Sequence, residues 1–178
     1  LKNNTKKDLV KAQFVDGAKI KSDIPAILAV GIGYKVLPQL RLATGIHYYF
    51  DKDADIESAP GVKKSIDGNL YEISFGGEYD ITDKILISAG YLYTKTGVGQ
   101  GYQTDLTHSL TSNTVGFGGA VKVTENMQIN LGMLYTMYTS DNKSSYYRIS
   151  SAPVVDIPYK ETYNRTNIDF TIGIDYRF

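Results

Sequence analysis

The chain has 178 residues, a formal net charge of zero, a charged fraction of 21% and no cysteine. Such values match an ordinary soluble domain, and the missing cysteine suits a bacterial envelope protein while deciding little. The longest nearly uninterrupted apolar stretch, residues 24–34, is far short of the ~20 residues a membrane helix needs, so helical spanning is excluded.

Residues 1–8 are polar and lack the apolar core of a secretory signal. A secreted barrel carries such a signal, so the expectation is cleavage just before Leu1 or a chain that is a piece of something longer. Residues 10–21 alternate poorly and are interrupted by Lys11, Lys19 and Lys21. With the rest of 1–22 they read as an extracellular loop rather than an eighth strand. The first clear alternation places Ile24, Ala26, Leu28, Val30, Ile32, Tyr34 and Val36 on one face. Leu40, Leu42, Thr44, Ile46, Tyr48 and Phe50 form the second such face, and Tyr71, Ile73, Phe75, Gly77 and Tyr79 the third. Ile85, Ile87, Ala89, Tyr91 and Tyr93 follow, then Val115, Phe117, Gly119, Val121 and Val123. The last two faces hold Met127, Ile129, Leu131, Met133, Tyr135 and Met137, then Ile168, Phe170, Ile172, Ile174, Tyr176 and Phe178.

No charged side chain falls on any of these faces. Lys35, Arg41, Glu72, Glu78, Lys122, Asp169, Asp175 and Arg177 all take the other parity. Period-two alternation with one uncharged face is what a membrane barrel strand requires, since lipid solvates one side and the lumen the other. The fold class read from the sequence is therefore all-β, a transmembrane antiparallel up-and-down β-barrel in a bacterial outer membrane. Connections alternate between short turns, near residues 37–39, 80–83 and 124–126, and long polar stretches at 51–68, 95–112 and 139–164. Short turns belong in the periplasm and long loops outside. Aromatic residues then cluster at both strand ends, as an interfacial girdle demands. A soluble sandwich or lipocalin-like barrel would alternate too, but would turn polar residues outward. Seven strands leave the chain ends on opposite sides of the membrane, whereas single-chain bacterial barrels have even strand numbers. The chain thus reads as a single barrel segment, 23–178 supplying seven strands of a larger whole.

The opposite parity is rich in glycine: Gly31, Gly33, Gly45, Gly76, Gly90, Gly116, Gly118, Gly132 and Gly173. Two readings stand side by side. Something such as an internal plug packs against this wall, or the glycines merely ease tilt and curvature.

Several stretches carry a family resemblance. SDIPAILAVGIGY (22–34) followed by LRLATGIHYYF (40–50) resembles an aspartate, Pro-Ala, Gly-x-x-Tyr, short-turn, Leu-x-Leu hairpin of the FadL/TodX family. DLTHSLTSNTVGFGG (105–119), NLGMLYTMY (130–138), and ETYNRT (161–166) leading into IGIDYRF (172–178) are similar to later loops and strands of that family. The resemblance spans most of the chain from residue 22. It implies a fourteen-stranded barrel with an N-terminal hatch that passes long-chain fatty acids or other hydrophobic molecules inward, this chain being the C-terminal half. The N-terminal half of the same protein, with hatch and remaining strands, is then a partner, alongside membrane lipid and the hydrophobic solute.

A fatty acid needs a cationic or hydroxyl group beside apolar walls. On the inner parity Arg41, His47 and Tyr49 climb one strand, and Leu92 and Leu134 face inward at similar height; these five are the candidate substrate-binding residues. The competing role for Arg41 is a salt bridge with Glu72 or Glu78. No catalytic residue, metal or cofactor is indicated, and no nucleic-acid partner is expected. Asp51, Asp53 and Asp55 have the spacing that opens a calcium loop, but Ile56 and Val62 stand where glycine and a bidentate glutamate belong. Residues 97–101, GVGQG, open no βαβ unit and read as a flexible loop. His47 and His108 lack ligand-spaced companions. Sequons at Asn3, Asn142 and Asn164 indicate only surface exposure. Leu106 and Leu110 share i, i+4 spacing, suiting either a greasy external groove or a cap on the barrel mouth. The rival to transport is a FadL-like barrel that scaffolds a secretion or surface-attachment partner, for which Tyr146 and Tyr147 suit protein contacts.

Overall fold

The computed structural model describes residues 19–104, 108–151 and 153–178. The supposed loop over 1–18, the sequon at Asn3 and the helical pairing through Leu106 lie outside the described residues. Among the latter, β1 (Ile27–Leu37), β2 (Leu40–Tyr49), β5 (Tyr71–Thr82), β6 (Ile85–Lys95), β7 (Ser112–Thr124), β8 (Met127–Tyr138) and β11 (Thr166–Tyr176) form one seven-stranded sheet. Its order is β1-β2-β5-β6-β7-β8-β11 and each pairing is antiparallel, so the sheet is an up-and-down meander. β1 and β11 are its two edges and are not paired with one another. The strands are 10 to 13 residues long, and seven alternating runs of sequence have become seven strands with boundaries shifted by a few residues.

The three short turns share one construction. A register shift falls just before each, between Lys35 and Leu37, Asp80 and Thr82, and Lys122 and Thr124. A bulge there tightens the local twist without changing which residues face outward further along. Thr82 Oγ1 accepts hydrogen bonds from the amides of Lys84 and Ile85, and Thr124 Oγ1 from that of Asn126. Hydroxyls that satisfy turn amides in this way are why threonine closes these strands.

The other rim carries more structure than the polar composition of its loops suggests. β3 (Glu57–Ala59) and β4 (Val62–Lys63) make a small hairpin whose turn places Gly61 at φ 75°, a conformation other residues rarely take. Residues 139–164, read as a polar loop, lie outside the main sheet but fold into a second hairpin, β9 (Asp141–Ser151) with β10 (Val154–Tyr163). Its alternation escapes notice because Ser and Lys interrupt it and a register shift falls between Val155 and Asp156. One face presents Tyr147, Ile157 and Tyr159; the other carries a bidentate Arg148–Asp156 pair, with Nε to Oδ1 2.8 Å and Nη2 to Oδ2 2.9 Å.

The rim loops are stitched together. Gln103 is 2% exposed, donates to the Ser109 carbonyl at 2.8 Å and to Asp141 at 3.2 Å, and accepts from the Ser109 amide. Lys143 Nζ donates to the Gln103 carbonyl, Leu110 is buried beside the loop, and the buried Tyr163 ring stacks on His108 at 5.7 Å. Residues 97–101 are likewise a contact surface and not a free loop. The Gly97 carbonyl accepts from the amides of Asp67 and Gly68, and the Gly99 amide donates to the Ser65 carbonyl. A Cβ on Gly97 would overlap the Gly68 carbonyl and come within 2.8 Å of the Asn69 nitrogen. Gly97→Ala must therefore displace backbone, and should expose the loops at 65–68 and 97–103 to protease, whereas Gly101→Ala, which meets the Ser65 side chain at 3.1 Å, should leave cleavage within a few-fold of the parent. Comparable cleavage rates for the two variants would disprove the close approach.

Candidate functional site

The period-two pleat divides the side chains of the main sheet into two populations. On the outer parity Ile32 is 69% exposed, Phe170 and Ile172 are 75% exposed, and Ile174 is 67% exposed. Hydroxyls there are satisfied locally: Thr44 Oγ1 donates to the Ser74 carbonyl at 2.7 Å and the Tyr91 hydroxyl to Asn113 at 2.6 Å. On the inner parity the register aligns one row of small residues across the sheet. Gly33 pairs with Ala43, Ala43 with Gly76, Gly76 with Gly90, and Gly90 with Gly116; the row ends with Leu134 and Asp169. Five strands contribute nothing larger than a methyl group before Leu134 on the sixth, so the wall is hollowed into a trough of about 870 Å³. Neighbouring side chains lean over some of the glycines: a Cβ on Gly116 would lie 2.8 Å from Leu134 Cδ2, and one on Gly132 2.7 Å from Thr171 Oγ1.

Polar groups gather above and below this row. Toward the short-turn rim, Arg41 Nε donates to Glu78 at 3.0 Å, and its Nη1 and Nη2 donate to the two oxygens of Asp80 at 2.8 and 3.1 Å. The guanidinium is thus spent on two carboxylates, of which the sequence named Glu78 and missed Asp80. Asp80 shares the parity of Glu78 and lies diagonal to Arg41; it was missed because residues 80–83 read as turn, whereas β5 runs on to Thr82. Toward the long-loop rim, Glu72 gathers His47 Nδ1 at 3.2 Å, the Tyr49 hydroxyl at 3.5 Å and Thr94 Oγ1 at 3.1 Å.

The five candidate residues do not form one cluster. Arg41 and Leu134 line the main trough; Leu92 and Leu134 line an adjoining hollow of about 460 Å³ with Gly45, Ser74 and Thr114; His47 and Tyr49 stand above both, at Glu72. Chemically the site is a surface for apolar contact with a hydrogen-bonded polar belt at either end, Arg41 with two carboxylates and Glu72 with His47, Tyr49 and Thr94. Among the described residues no group of three or more His, Asp and Glu side chains is placed to hold a metal. The acidic run after β2 explains itself structurally. Asp51 Oδ2 accepts from the Leu70 amide at 3.1 Å, while Asp55 is clasped by Lys21 at 2.7 Å and by Lys63.

The chain matches no protein-family model and no curated protein. Its backbone is similar to the crystal structure of a Pseudomonas aeruginosa FadL homologue, with a TM-score of 0.63 at 13% sequence identity over 85% of this chain. The chain spans 35% of that protein's length. At such identity the likeness concerns the fold: an all-β, antiparallel up-and-down wall of the FadL-like barrel type.

The Asp55 clasp gives a pH dependence. Hydrogen bonds and charge from Lys21 and Lys63 hold its carboxyl down to about 2, from an ordinary value of 3.8. A depressed folded-state value means the contribution is whole above about pH 4 and is lost as pH falls toward 2. Pepsin cleavage within 51–68 should therefore rise between pH 4 and pH 2 in the parent and be high already at pH 4 in Asp55→Asn. A parent profile as flat as that of the variant would contradict the clasp.

Proposed function

We propose that this chain is part of the wall of a bacterial outer-membrane barrel that admits hydrophobic small molecules, long-chain fatty acids foremost, by passive movement without chemistry on the solute. The observation that carries the reading is the outer face. Across seven strands it carries a single charge, Lys95 at the long-loop end of β6, and is largely bare, far beyond the few hundred Å² of apolar patch that a soluble protein exposes. Only lipid, or more protein, solvates such a face. Strands of about eleven residues, tilted by roughly 40–45°, reach across the ~25 Å apolar band of an outer membrane. The FadL-like backbone agrees with this placement. The trough supplies apolar contact, and the belts at Arg41 and Glu72 supply polar ends, so an amphiphile has matching surroundings along its length. In this reading the unpaired edges β1 and β11 meet the N-terminal half of the same protein, and the small-residue row faces an internal plug.

A second reading, a non-transporting scaffold for an envelope protein, is favoured by one feature. The β9–β10 hairpin stands clear of the sheet with Tyr146, Tyr147 and Ile149 more than half exposed. Such exposed aromatic surface along a hairpin suits protein contact.

Two measurements decide. Ile172→Lys, on the outer face, should cost about 2–4 kcal/mol near the midplane while Thr171→Lys, on the trough face, is tolerated; equal costs in a folding titration into bilayers would sink the membrane placement. Uptake of a long-chain fatty acid should differ between cells with and without the gene, and binding should strengthen by about 0.8 kcal/mol per methylene until the trough is full. No difference in uptake, with binding blind to chain length, would leave the scaffold reading standing.

A further inference from the structure

The outer face of the sheet carries one charge, Lys95, the last residue of β6 at the long-loop rim. Lys35 and Lys122 lie on the trough face, so Lys95 is set apart by the side on which it leaves the sheet. Pairing places it directly opposite Tyr71 on β5, and Tyr93 stands two residues back along its own strand. The rings of Tyr71 and Tyr93 meet with centroids 6.1 Å apart, and alternation puts Lys95 on that same side. Among the described residues Lys95 has no hydrogen bond or ion pair. In the adjoining loop Lys63 is clasped to Asp55 and Lys64 lies over the Tyr102 ring at 5.4 Å. No carboxylate lies on the outer parity of any of the seven strands.

Hydrogen-bond donors stand around this cation. Asn113 on β7 pairs with Tyr93, and its Oδ1 accepts from the Tyr91 hydroxyl at 2.6 Å, which leaves the amide nitrogen as a donor. Thr111 Oγ1 accepts from the Thr96 amide and keeps its own proton to give. The phenols of Tyr71 and Tyr93 add two more donors. A cation among several donors, with no negative group on that face, suits an anion of many oxygens such as a phosphate. Below the cluster the face turns apolar through Ile73 and Phe75, both more than two-fifths exposed, so an occupant needs an apolar tail beneath its anionic head. Free phosphate has no such tail; a lipid has. The short-turn rim carries no outer-face cation, so the site belongs to the leaflet on the long-loop side. A lysine on a lipid-facing surface costs least at such a rim, where its stem lies along aromatic rings and its ammonium reaches headgroup level.

Resting on the outer-membrane placement, we propose that Lys95, Tyr71, Tyr93 and Asn113 form a binding site for the phosphate of an outer-leaflet glycolipid, whose acyl chains lie over Ile73 and Phe75. The lipid is held on the outside of the wall, away from the trough and any solute within it.

The test uses the full polypeptide folded in detergent micelles and reads bound lipid by native mass spectrometry. The probes are phosphorylated glycolipid extracted from outer membranes, the same lipid after phosphatase treatment, and inorganic phosphate. Lys95→Gln should weaken binding of the intact glycolipid about fivefold, while Lys95→Arg keeps it within about twofold of the parent. Asn113→Ala should weaken it about threefold, and Lys122→Gln, on the other face, should leave it unchanged. The heat-modifiable folded band checks that each variant is assembled. Solute uptake does not enter the measurement, and the Ile172→Lys and Thr171→Lys comparison tests the membrane placement separately, so failure of either reading is distinguishable from failure of this site. Equal binding of the dephosphorylated lipid, displacement by inorganic phosphate at the concentration of the glycolipid itself, or a Lys95→Gln variant that binds as the parent does would each overturn the proposal.

Discussion

The pleat of the ladder sends successive side chains to opposite faces, and the register across the sheet keeps every row in step from β1 to β11. Everything else depends on that phase. A slip of one residue in a strand would turn its trough-face residues outward and its branched and aromatic side chains into the trough. The register shifts fall next to the short turns, where they bend the chain without disturbing the phase of the long central segments. Turn chemistry and face segregation are therefore one device, since the turn fixes the register that the faces require.

This wall has almost no core of the usual kind. Among the described residues the few buried side chains lie mostly in the rim loops, at Gln103, Leu110, Ser112 and Tyr163, with Ala120 the exception in mid-sheet. Stability of the sheet as such comes from backbone pairing and from whatever covers its two faces. The trough face is held by short polar ties between neighbouring strands, Arg41 to Glu78 and Asp80, and Glu72 to His47 and Thr94. Because Arg41 is engaged by two carboxylates on β5, it acts as a strap across strands.

The rim is organised differently. Its loops are joined by backbone contacts that only glycine permits, as between Gly97 and Gly68, and by a buried amide, Gln103, that bridges a loop and a hairpin. The β9–β10 hairpin is thereby anchored at its base and bare at its tip, which separates an apolar face from the face that bears the Arg148–Asp156 pair.

The seven strands, their facing and the positions of the short turns were legible in the sequence, because the pleat has a period of two and the outer face carries no charge short of its rim. Arg41 beside Glu78 was legible for the same reason. Asp80 as its second partner was not, because 80–83 read as turn where β5 runs on to Thr82; nor were the glycine contacts at 97–101 and the β9–β10 hairpin, which depend on a close approach and a loop pairing that leave no periodic trace. Local pattern thus decided which residues face which side of this wall. Only the tertiary structure decided which of them meet and that the small residues align into a single trough, because register between distant strands is a property of the assembled sheet and not of any one run of residues.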